Sequence, residues 1–297
     1  MGLKDLIRNN KLIRNFAIKV NPFNLIVPPG HFYSPIPDVS EIKRKEDSIF
    51  DSKKDVKAID LNDSVQQNLI EEFRKHYKQI PFEDQHTERF RYHYNNEMYS
   101  HSSAVLLYSM LLYLKPKRII EVGSGYTSAL MLDVNNIFLE NKMQLTFIEP
   151  YPKRLKSLLK TSDYQNVTII EEKLENVDTK IFSQLQEDDI LFIDSTHISK
   201  IGSDVNTILF EILPLLNKNV YIHFHDILYP FEYPKEWIYS GQFWNEAYML
   251  KAFLMYNETF KIHFFNTYAT MKFEDSFKDM PLFTKNMGGC IWLKKEK

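Results

Sequence analysis

RIIEVGSGYTSALML, residues 118–132, joins a short β-rich run to a helical run through a loop that contains two glycines. Gly123 and Gly125 let the backbone turn sharply and approach a ligand closely, and the helix that follows presents free amide groups at its start. Four more β-rich runs follow, each separated from the previous one by a helical run: LTFIEP, VTIIEE, DILFIDS and NVYIHFHD. Five strands separated by helices predict a parallel, doubly wound sheet.

Two further β-rich runs lie near the end of the chain. FKIHFFN and GCIWLKK are expected to have only a loop between them, which predicts an antiparallel hairpin on one edge of the sheet. The expected fold class is therefore α/β, with a mostly parallel seven-stranded sheet. Residues 104–297 are expected to form this domain, and residues 1–103 an N-terminal extension with an amphipathic helix, an irregular arm and a helical cap.

The composition excludes some classes of partner. The chain has 297 residues and a formal net charge of −2, so it lacks the positive field that recruits nucleic acid. Its single cysteine, Cys290, fits a reducing, cytoplasmic compartment. No apolar run reaches the about eighteen residues of a membrane span. Residues 1–20 form a basic amphipathic pattern, which favours docking on the protein itself or on a second copy over peripheral contact with an anionic membrane.

The loop at Gly123 differs in two ways from the nicotinamide dinucleotide fingerprint. Ser128 stands where that fingerprint has a third glycine, and Glu121 lies just before the loop, where it would repel a pyrophosphate. An acid at this place suits a ligand with a cationic end. Glu149 closes the second β-rich run, where a carboxylate can accept hydrogen bonds from both ribose hydroxyls. The ligand should therefore contain a ribose, lack a diphosphate and carry a positive charge.

With EVGSGYTS and the acid of FIEP, the sequence resembles the class I S-adenosylmethionine-dependent methyltransferases over residues 104–297. The resemblance implies a Rossmann-like methyltransferase fold and S-adenosyl-L-methionine as cofactor. It implies that the residues around the cofactor's methionine part are Glu121, Gly123, Ser124 and Gly125, with Asp194 also at the cofactor. It further implies that Glu149 holds the ribose and that residues 172–174 lie beside the adenine, with Glu171 or Glu172 as the acid there.

Ionisable residues stand at the ends of the fourth and fifth expected strands. Asp194 closes DILFIDS, and His225 and Asp226 close NVYIHFHD, whereas His223 lies deeper and is interpreted as a core histidine. Because the carboxyl ends of parallel strands meet at one edge, Asp194 and Asp226 are candidate ligands of Mg²⁺ or Ca²⁺. His197 is expected to be the base that takes the acceptor's proton, with capping of the next helix as the alternative.

The D-x-x-H spacing followed by Asp226 resembles metal-dependent sugar O-methyltransferases that act on macrolide glycosides, and more loosely the catechol-type enzymes. Those enzymes commonly have a second polar ligand directly after the strand-five aspartate. This chain has Ile227 there, and His225 could compensate. The resemblance implies catalytic roles for Asp194, His197 and His225.

Aromatic residues after Asp226 form a candidate lid over the acceptor, with core packing as the alternative for at least half of them. The expected pocket residues are Tyr229 and Trp237 from this segment and Tyr99 from the loop before the apolar helix. The predicted function is O-methylation of a sugar-containing or other hydroxylated small molecule. The alternatives are a NAD(P)-dependent oxidoreductase and a non-catalytic protein that keeps the cofactor pocket.

Overall fold

The computed structural model of the protein describes residues 27–297, so the basic amphipathic pattern of residues 1–20 lies outside the described residues. Residues 27–51 and 234–243 belong to one compact unit, and residues 52–233 and 244–297 form a second, larger unit. Residues 52–103, which the sequence analysis grouped with the N-terminal extension, belong to the larger unit.

A seven-stranded sheet forms the centre of the larger unit. Its strands are β1 (Arg118–Val122), β2 (Gln144–Ile148), β3 (Val167–Ile170), β4 (Ile190–Ile193), β5 (Tyr221–His225), β6 (Phe260–Phe265) and β7 (Cys290–Lys295). Their order across the sheet is β3-β2-β1-β4-β5-β7-β6. Strands β1 to β5 pair in parallel, and β7 pairs antiparallel with both β5 and β6. The predicted α/β fold with a mostly parallel seven-stranded sheet is confirmed.

The α-helices of the described residues are α1 (Val39–Arg44), α2 (Glu46–Ile49), α3 (Asp63–Tyr77), α4 (His101–Leu114), α5 (Tyr126–Phe138), α6 (Lys153–Leu158), α7 (Asp204–Thr207), α8 (Leu213–Leu215), α9 (Lys235–Tyr239), α10 (Glu246–Leu254) and α11 (Asn266–Lys272). Helix α4 packs against α3 and α5 and is buried along almost its whole length, which is why its sequence is apolar on every face. Within residues 27–297, no helix combines the length and apolarity needed to cross a membrane.

Three connections differ from the expected pattern. The helical run expected between VTIIEE and DILFIDS contains a 3₁₀ helix, Thr179–Gln184, and in the next connection a π-helix, Ile208–Ile212, separates α7 from α8. Between β6 and β7 the chain forms α11 and two 3₁₀ helices rather than a simple loop. Segments of one or two turns carry too little periodicity to be recognised in sequence, so only their tertiary packing reveals them.

The smaller unit holds together two distant segments of the chain. The Glu46 carboxylate accepts hydrogen bonds from Lys235 Nζ at 2.5 Å and from the Tyr239 hydroxyl at 2.8 Å. The Phe50 ring packs edge-on against the Tyr239 ring, with 6.3 Å between centroids. Helix α9 is therefore attached to α2 by both polar and apolar contacts.

A buried ion-pair network in the larger unit fixes the loop that precedes α4. Arg91 donates from Nε and Nη2 to Asp163 at 2.9 and 2.5 Å, and from Nη1 to Asp133 at 2.6 Å. The second oxygen of Asp133 accepts the backbone amides of Arg91 and Tyr92 at 2.8 and 2.9 Å. Because Asp133 belongs to α5, the network attaches this loop to the helix that follows the glycine loop.

We expect Arg91→Ala to lower the free energy of unfolding by about 3–5 kcal/mol, because it leaves two buried carboxylates without their shared partner. Urea denaturation followed by circular dichroism measures the change. The matched control is Arg89→Ala, which removes an exposed guanidinium that lies 4.9 Å from the centroid of the Phe90 ring and should cost less than about 1 kcal/mol. Equal losses from the two variants would contradict the assigned role of the network.

Candidate active site

The loops after β1, β2, β4 and β5 meet at the carboxyl edge of the parallel strands, where open α/β sheets bind their ligands. Two adjoining cavities, of about 330 and 410 Å³, lie at this edge. Their walls share residues from the glycine loop, the end of β2 and the end of β4: Gly123, Glu149, Asp194, Ser195 and Thr196. The structure therefore brings together the three segments that the sequence analysis assigned to a nucleoside ligand.

The glycine loop is packed tightly against the end of β4. Gly123 has a φ of +80°, and a Cβ atom at this position would lie 1.8 Å from the carbonyl oxygen of Asp194. Gly125 has extended backbone, and its amide donates a hydrogen bond to Ser128 Oγ at 3.0 Å. Gly123 is thus required by backbone conformation and space, whereas Ser128 replaces the expected third glycine with a hydroxyl that caps the loop.

Glu121 lies beneath the loop and does not line either of the two cavities. Its fully buried carboxylate accepts short hydrogen bonds from the hydroxyls of Thr127 and Ser128 at the start of α5. Burial raises the pKa of Glu121 to about 8, although the two hydroxyls oppose this shift. The sequence analysis placed Glu121 beside the methionine part of a ligand, whereas in the structure its contacts hold the loop to the following helix.

Glu149 lines both cavities from the end of β2. Its carboxylate accepts the backbone amides of Ser124 at 3.2 Å and Tyr151 at 2.8 Å, which fixes its orientation. Glu172, expected beside an adenine, is exposed, lies 3.4 Å from Asn176 Nδ2 and is absent from the walls of the two cavities. The neighbouring residues Lys173, Leu174 and Glu175 line the larger cavity instead.

Two hydroxyls in the cavity wall lack a hydrogen-bond partner among residues 27–297. The Oγ atoms of Ser124 and Ser195 are buried and unpaired, and both residues line the smaller cavity. A buried hydroxyl without a partner costs free energy, so the arrangement suits a polar ligand that supplies the missing bonds. Together with the Glu149 carboxylate, these two hydroxyls present polar groups to the smaller cavity.

A cluster of three ionisable residues lies beside these hydroxyls. His197 Nε2 is 3.5 Å from Asp194 Oδ1 and 3.6 Å from Asp226 Oδ2. One candidate ligand atom from each of the three residues lies within 4.8 Å of the other two, a spacing that would hold a metal ion. Two carboxylates and an imidazole are donors that divalent cations accept. Asp194 and Asp226 were predicted as a pair, and His197 completes the set.

His197 is buried and is held from both sides. Its Nδ1 lies 2.8 Å from the buried carboxylate of Glu246, the first residue of α10. Burial disfavours the charged imidazolium, but hydrogen bonds with Asp194 and Glu246 outweigh it and raise the pKa of His197 to about 10. Ser203 caps the next helix, α7, by accepting the amide of Asn206, so the capping alternative for His197 is wrong.

The two histidines of β5 differ in depth. His223 is fully buried and stacks on Phe192 with 3.9 Å between ring centroids, and burial lowers the pKa of His223 well below its usual value. It is therefore a neutral core residue, although both its nitrogens lack partners. His225 lines the smaller cavity, with its Nε2 3.5 Å from Asp226 Oδ1 and its ring 5.0 Å from that of Tyr99.

The three expected pocket residues lie in different places. Tyr99 lines the smaller cavity. The Tyr229 hydroxyl donates to the Lys54 carbonyl at 3.3 Å, its ring packs against Phe265 and Tyr268, and it is absent from the walls of both cavities. Trp237 belongs to α9 in the smaller unit.

The wall of the smaller cavity also contains seven residues that were not predicted as site residues: Met98, Tyr126, Thr127, Arg154, Ser195, Thr196 and Trp244. The Trp244 ring lies 4.5 Å from that of His197. Trp244 and Glu246 are separated from His197 by more than forty residues of sequence and share no motif with it. Two sequence signals pointed to this wall: Ser195 directly follows Asp194 at a strand end, and Trp244 belongs to the aromatic segment after Asp226 that was expected to form a lid.

Comparison with known proteins gives the family. Residues 120–227, which include the glycine loop, Glu149 and the ends of β4 and β5, match the family model of a methyltransferase domain. An uncharacterized protein of Archaeoglobus fulgidus is 33% identical over 168 residues, which cover 54% of this chain and 75% of that protein. The chain belongs to the class I S-adenosylmethionine-dependent methyltransferase family. This assignment replaces the oxidoreductase alternative and agrees with the serine at the third glycine position.

Solved structures of other methyltransferases show a distant likeness. The SAH-bound methyltransferase of Podospora anserina is 17% identical, covers 89% of this chain and 99% of its own, and has a TM-score of 0.46. The SAM-bound O-methyltransferase of Streptomyces achromogenes involved in tomaymycin synthesis is 12% identical, covers 86% and 96%, and has a TM-score of 0.42. At these TM-scores the likeness carries no weight in assigning the acceptor of this methyltransferase.

We expect Glu121→Gln to change the pH dependence of the methyltransferase's stability. Because the pKa of Glu121 rises from 4.5 to about 8 on folding, the native state holds its proton more tightly and the wild-type protein loses stability between these pH values. The Gln variant cannot ionise, so its stability relative to wild type should rise through this window by on the order of a few kcal/mol.

Urea unfolding at several pH values between about 5 and 9 measures this difference. The control is Glu211→Gln, which removes an exposed carboxylate and should reproduce the wild-type profile. Parallel profiles for Glu121→Gln and wild type would show that Glu121 does not titrate as its burial implies.

Proposed function

We propose that this methyltransferase transfers the methyl group of S-adenosylmethionine to a hydroxyl of a sugar-containing or otherwise hydroxylated small molecule. The observation that supports the proposal is the cluster of Asp194, His197 and Asp226 in the wall of the cavity that also contains the glycine loop and Glu149. A hydroxyl acceptor is the class that needs such a cluster, because its proton must be removed for transfer to occur at neutral pH.

The cofactor would occupy the two adjoining cavities. In this arrangement Glu149 accepts hydrogen bonds from the ribose hydroxyls, and Ser124 and Ser195 contact polar groups of the cofactor. Leu174 and its neighbours lie beside the adenine in the larger cavity. Methyl transfer from a sulfonium is an in-line displacement, so fixing donor and acceptor in one geometry supplies about 7–11 kcal/mol of the rate acceleration.

Asp194, His197 and Asp226 would hold a divalent cation, with Mg²⁺, Ca²⁺ and Mn²⁺ as candidates. When bound, such a cation lowers the pKa of an acceptor hydroxyl and orients it. His197 Nε2 points between the two carboxylates, so this atom would be a ligand in the metal-bound protein. His225 lines the same cavity, and its Nδ1 has no hydrogen-bond partner among residues 27–297. It is therefore placed to take the proton of the acceptor hydroxyl.

Three side chains beside this cluster favour a ring-shaped acceptor. Met98, Tyr99 and Trp244 line the same cavity and present apolar or aromatic surface next to the ionisable groups. Sugar rings and planar hydroxylated rings pack on such surfaces while their hydroxyls reach polar groups. This combination supports an acceptor with both a ring and a free hydroxyl.

We expect Glu149→Ala to weaken binding of S-adenosylhomocysteine by about ten- to a hundredfold, because two charge-assisted hydrogen bonds are each worth roughly 1.5–3 kcal/mol and are partly replaced by water. Isothermal titration calorimetry measures the affinity. Glu211→Ala, which removes an exposed carboxylate outside the cavity walls, should bind as wild type does. Wild-type affinity in Glu149→Ala would remove Glu149 from the proposed cofactor site.

We expect Asp226→Asn to reduce kcat for methyl transfer at least a hundredfold while S-adenosylhomocysteine binding changes less than about twofold, because Asn keeps the shape but not the charge of the ligand. The assay follows transfer of a labelled methyl group to a panel of glycosylated and hydroxylated aromatic compounds. EDTA should abolish transfer, and Mg²⁺ or Mn²⁺ should restore it. Transfer that resists EDTA but is lost in His197→Ala would assign His197 as base instead, and no transfer to any compound would contradict the acceptor class.

A further inference from the structure

We propose that Glu246 is a positioning residue of this site, which holds the His197 ring so that its Nε2 atom faces Asp194 and Asp226. The inference rests on the proposed function, because that function includes the cation that His197 would bind. Glu246 lies 49 residues after His197 in sequence, and it reaches the histidine because the start of α10 contacts the loop that follows β4.

The side-chain contact has the geometry of a fixed hydrogen bond. His197 Nδ1 and Glu246 Oε2 are 2.8 Å apart, and both residues are buried, with Glu246 only 1% exposed. A carboxylate can only accept, so Nδ1 carries the hydrogen in this pair. With the hydrogen held on Nδ1, Nε2 is the nitrogen that would lose its proton and offer its lone pair to a cation, and this atom lies 3.5 and 3.6 Å from the two aspartates.

The backbone around Glu246 fixes His197 a second time. The carbonyl oxygen of His197 accepts the amides of Asn245 and Glu246, each at 3.1 Å, and Asn245 Oδ1 accepts the amide of Ser199 at 2.6 Å. His197 has a φ of +60°, a conformation that non-glycine residues adopt only where surrounding contacts impose it. Both the main chain and the ring of His197 are therefore attached to the first residues of α10.

The ring of Trp244 completes this arrangement. Its centroid lies 4.5 Å from that of His197 at an interplanar angle of 40°, so it restricts rotation of the imidazole about its long axis. Three consecutive residues, Trp244, Asn245 and Glu246, thus act on His197 through ring packing, backbone hydrogen bonds and a side-chain hydrogen bond. Histidine ligands of metals are commonly oriented by a carboxylate in this way, and loss of the carboxylate weakens metal binding about ten- to a hundredfold.

The test compares Mn²⁺ binding by wild type and Glu246→Gln, measured by calorimetry on the full chain. We expect the dissociation constant for Mn²⁺ to rise about ten- to a hundredfold, because the neutral amide no longer increases the basicity of the ring. Binding of S-adenosylhomocysteine should change less than about twofold, which separates local positioning from unfolding. Glu211→Gln, with an exposed carboxylate lost from another helical segment of the same unit, should bind Mn²⁺ as wild type does.

A second measurement observes the His197 ring directly. Nitrogen-15 NMR of the histidine rings in the wild-type protein, assigned with His197→Gln, should show a hydrogen on Nδ1 of His197 that exchanges slowly with water. In Glu246→Gln this signal should move and exchange faster. A merely structural role for Glu246 would alter stability without changing this signature.

Three results would overturn the inference: Mn²⁺ binding by Glu246→Gln within about twofold of wild type, a wild-type His197 without a hydrogen on Nδ1, or no binding of Mn²⁺ by wild type. A failure of the proposed function alone would give a different set of results. If no acceptor is methylated while Mn²⁺ binding still depends on Glu246, the proposed acceptor chemistry falls and the positioning role stands.

Discussion

The close contact between the loop after β1 and the end of β4 is the constraint on which the site depends. Gly123 approaches the Asp194 carbonyl so closely that no side chain fits between them. The Asp194 amide donates to the Val122 carbonyl at 2.9 Å, and the Gly123 amide donates to the Ile148 carbonyl at 3.0 Å. These bonds extend the parallel ladder beyond its strands, so the glycine loop and the carboxylates at the ends of β2 and β4 meet at one edge.

The acidic residues of the site differ in role because their surroundings differ. Glu121 is enclosed beneath the loop, where two hydroxyls and burial make it part of the scaffold. Glu149 accepts hydrogen bonds from two backbone amides and also lines both cavities. Asp194 and Asp226 face an imidazole that a third carboxylate, from Glu246, holds from behind. The same functional group therefore belongs to the scaffold, to the cavity wall or to a histidine contact, according to what lies within about 4 Å of it.

Strand ends were the most predictable part of the site, and side-chain surroundings the least. Asp194 and Asp226 were expected to meet because neighbouring parallel strands end at the same edge, and β4 and β5 are neighbours. Residues 172–174 were expected beside an adenine; Lys173 and Leu174 line the larger cavity, whereas Glu172 does not. Tyr229 was expected over an acceptor, and its hydroxyl instead reaches the Lys54 carbonyl, a partner 175 residues away.

The alternation of β-rich and helical runs, the glycines of the first loop and the polar residues at strand ends determined the fold class, the family resemblance and the edge of the sheet that bears the site. Those features are local, because strand and helix periodicity and glycine conformation act over a few residues. Only the tertiary structure decided that Glu121 is enclosed, that Arg154 and Trp244 line the cavity and that Glu246 contacts His197. Such contacts join residues far apart in sequence, and they arise from the packing of whole elements, which no local pattern encodes.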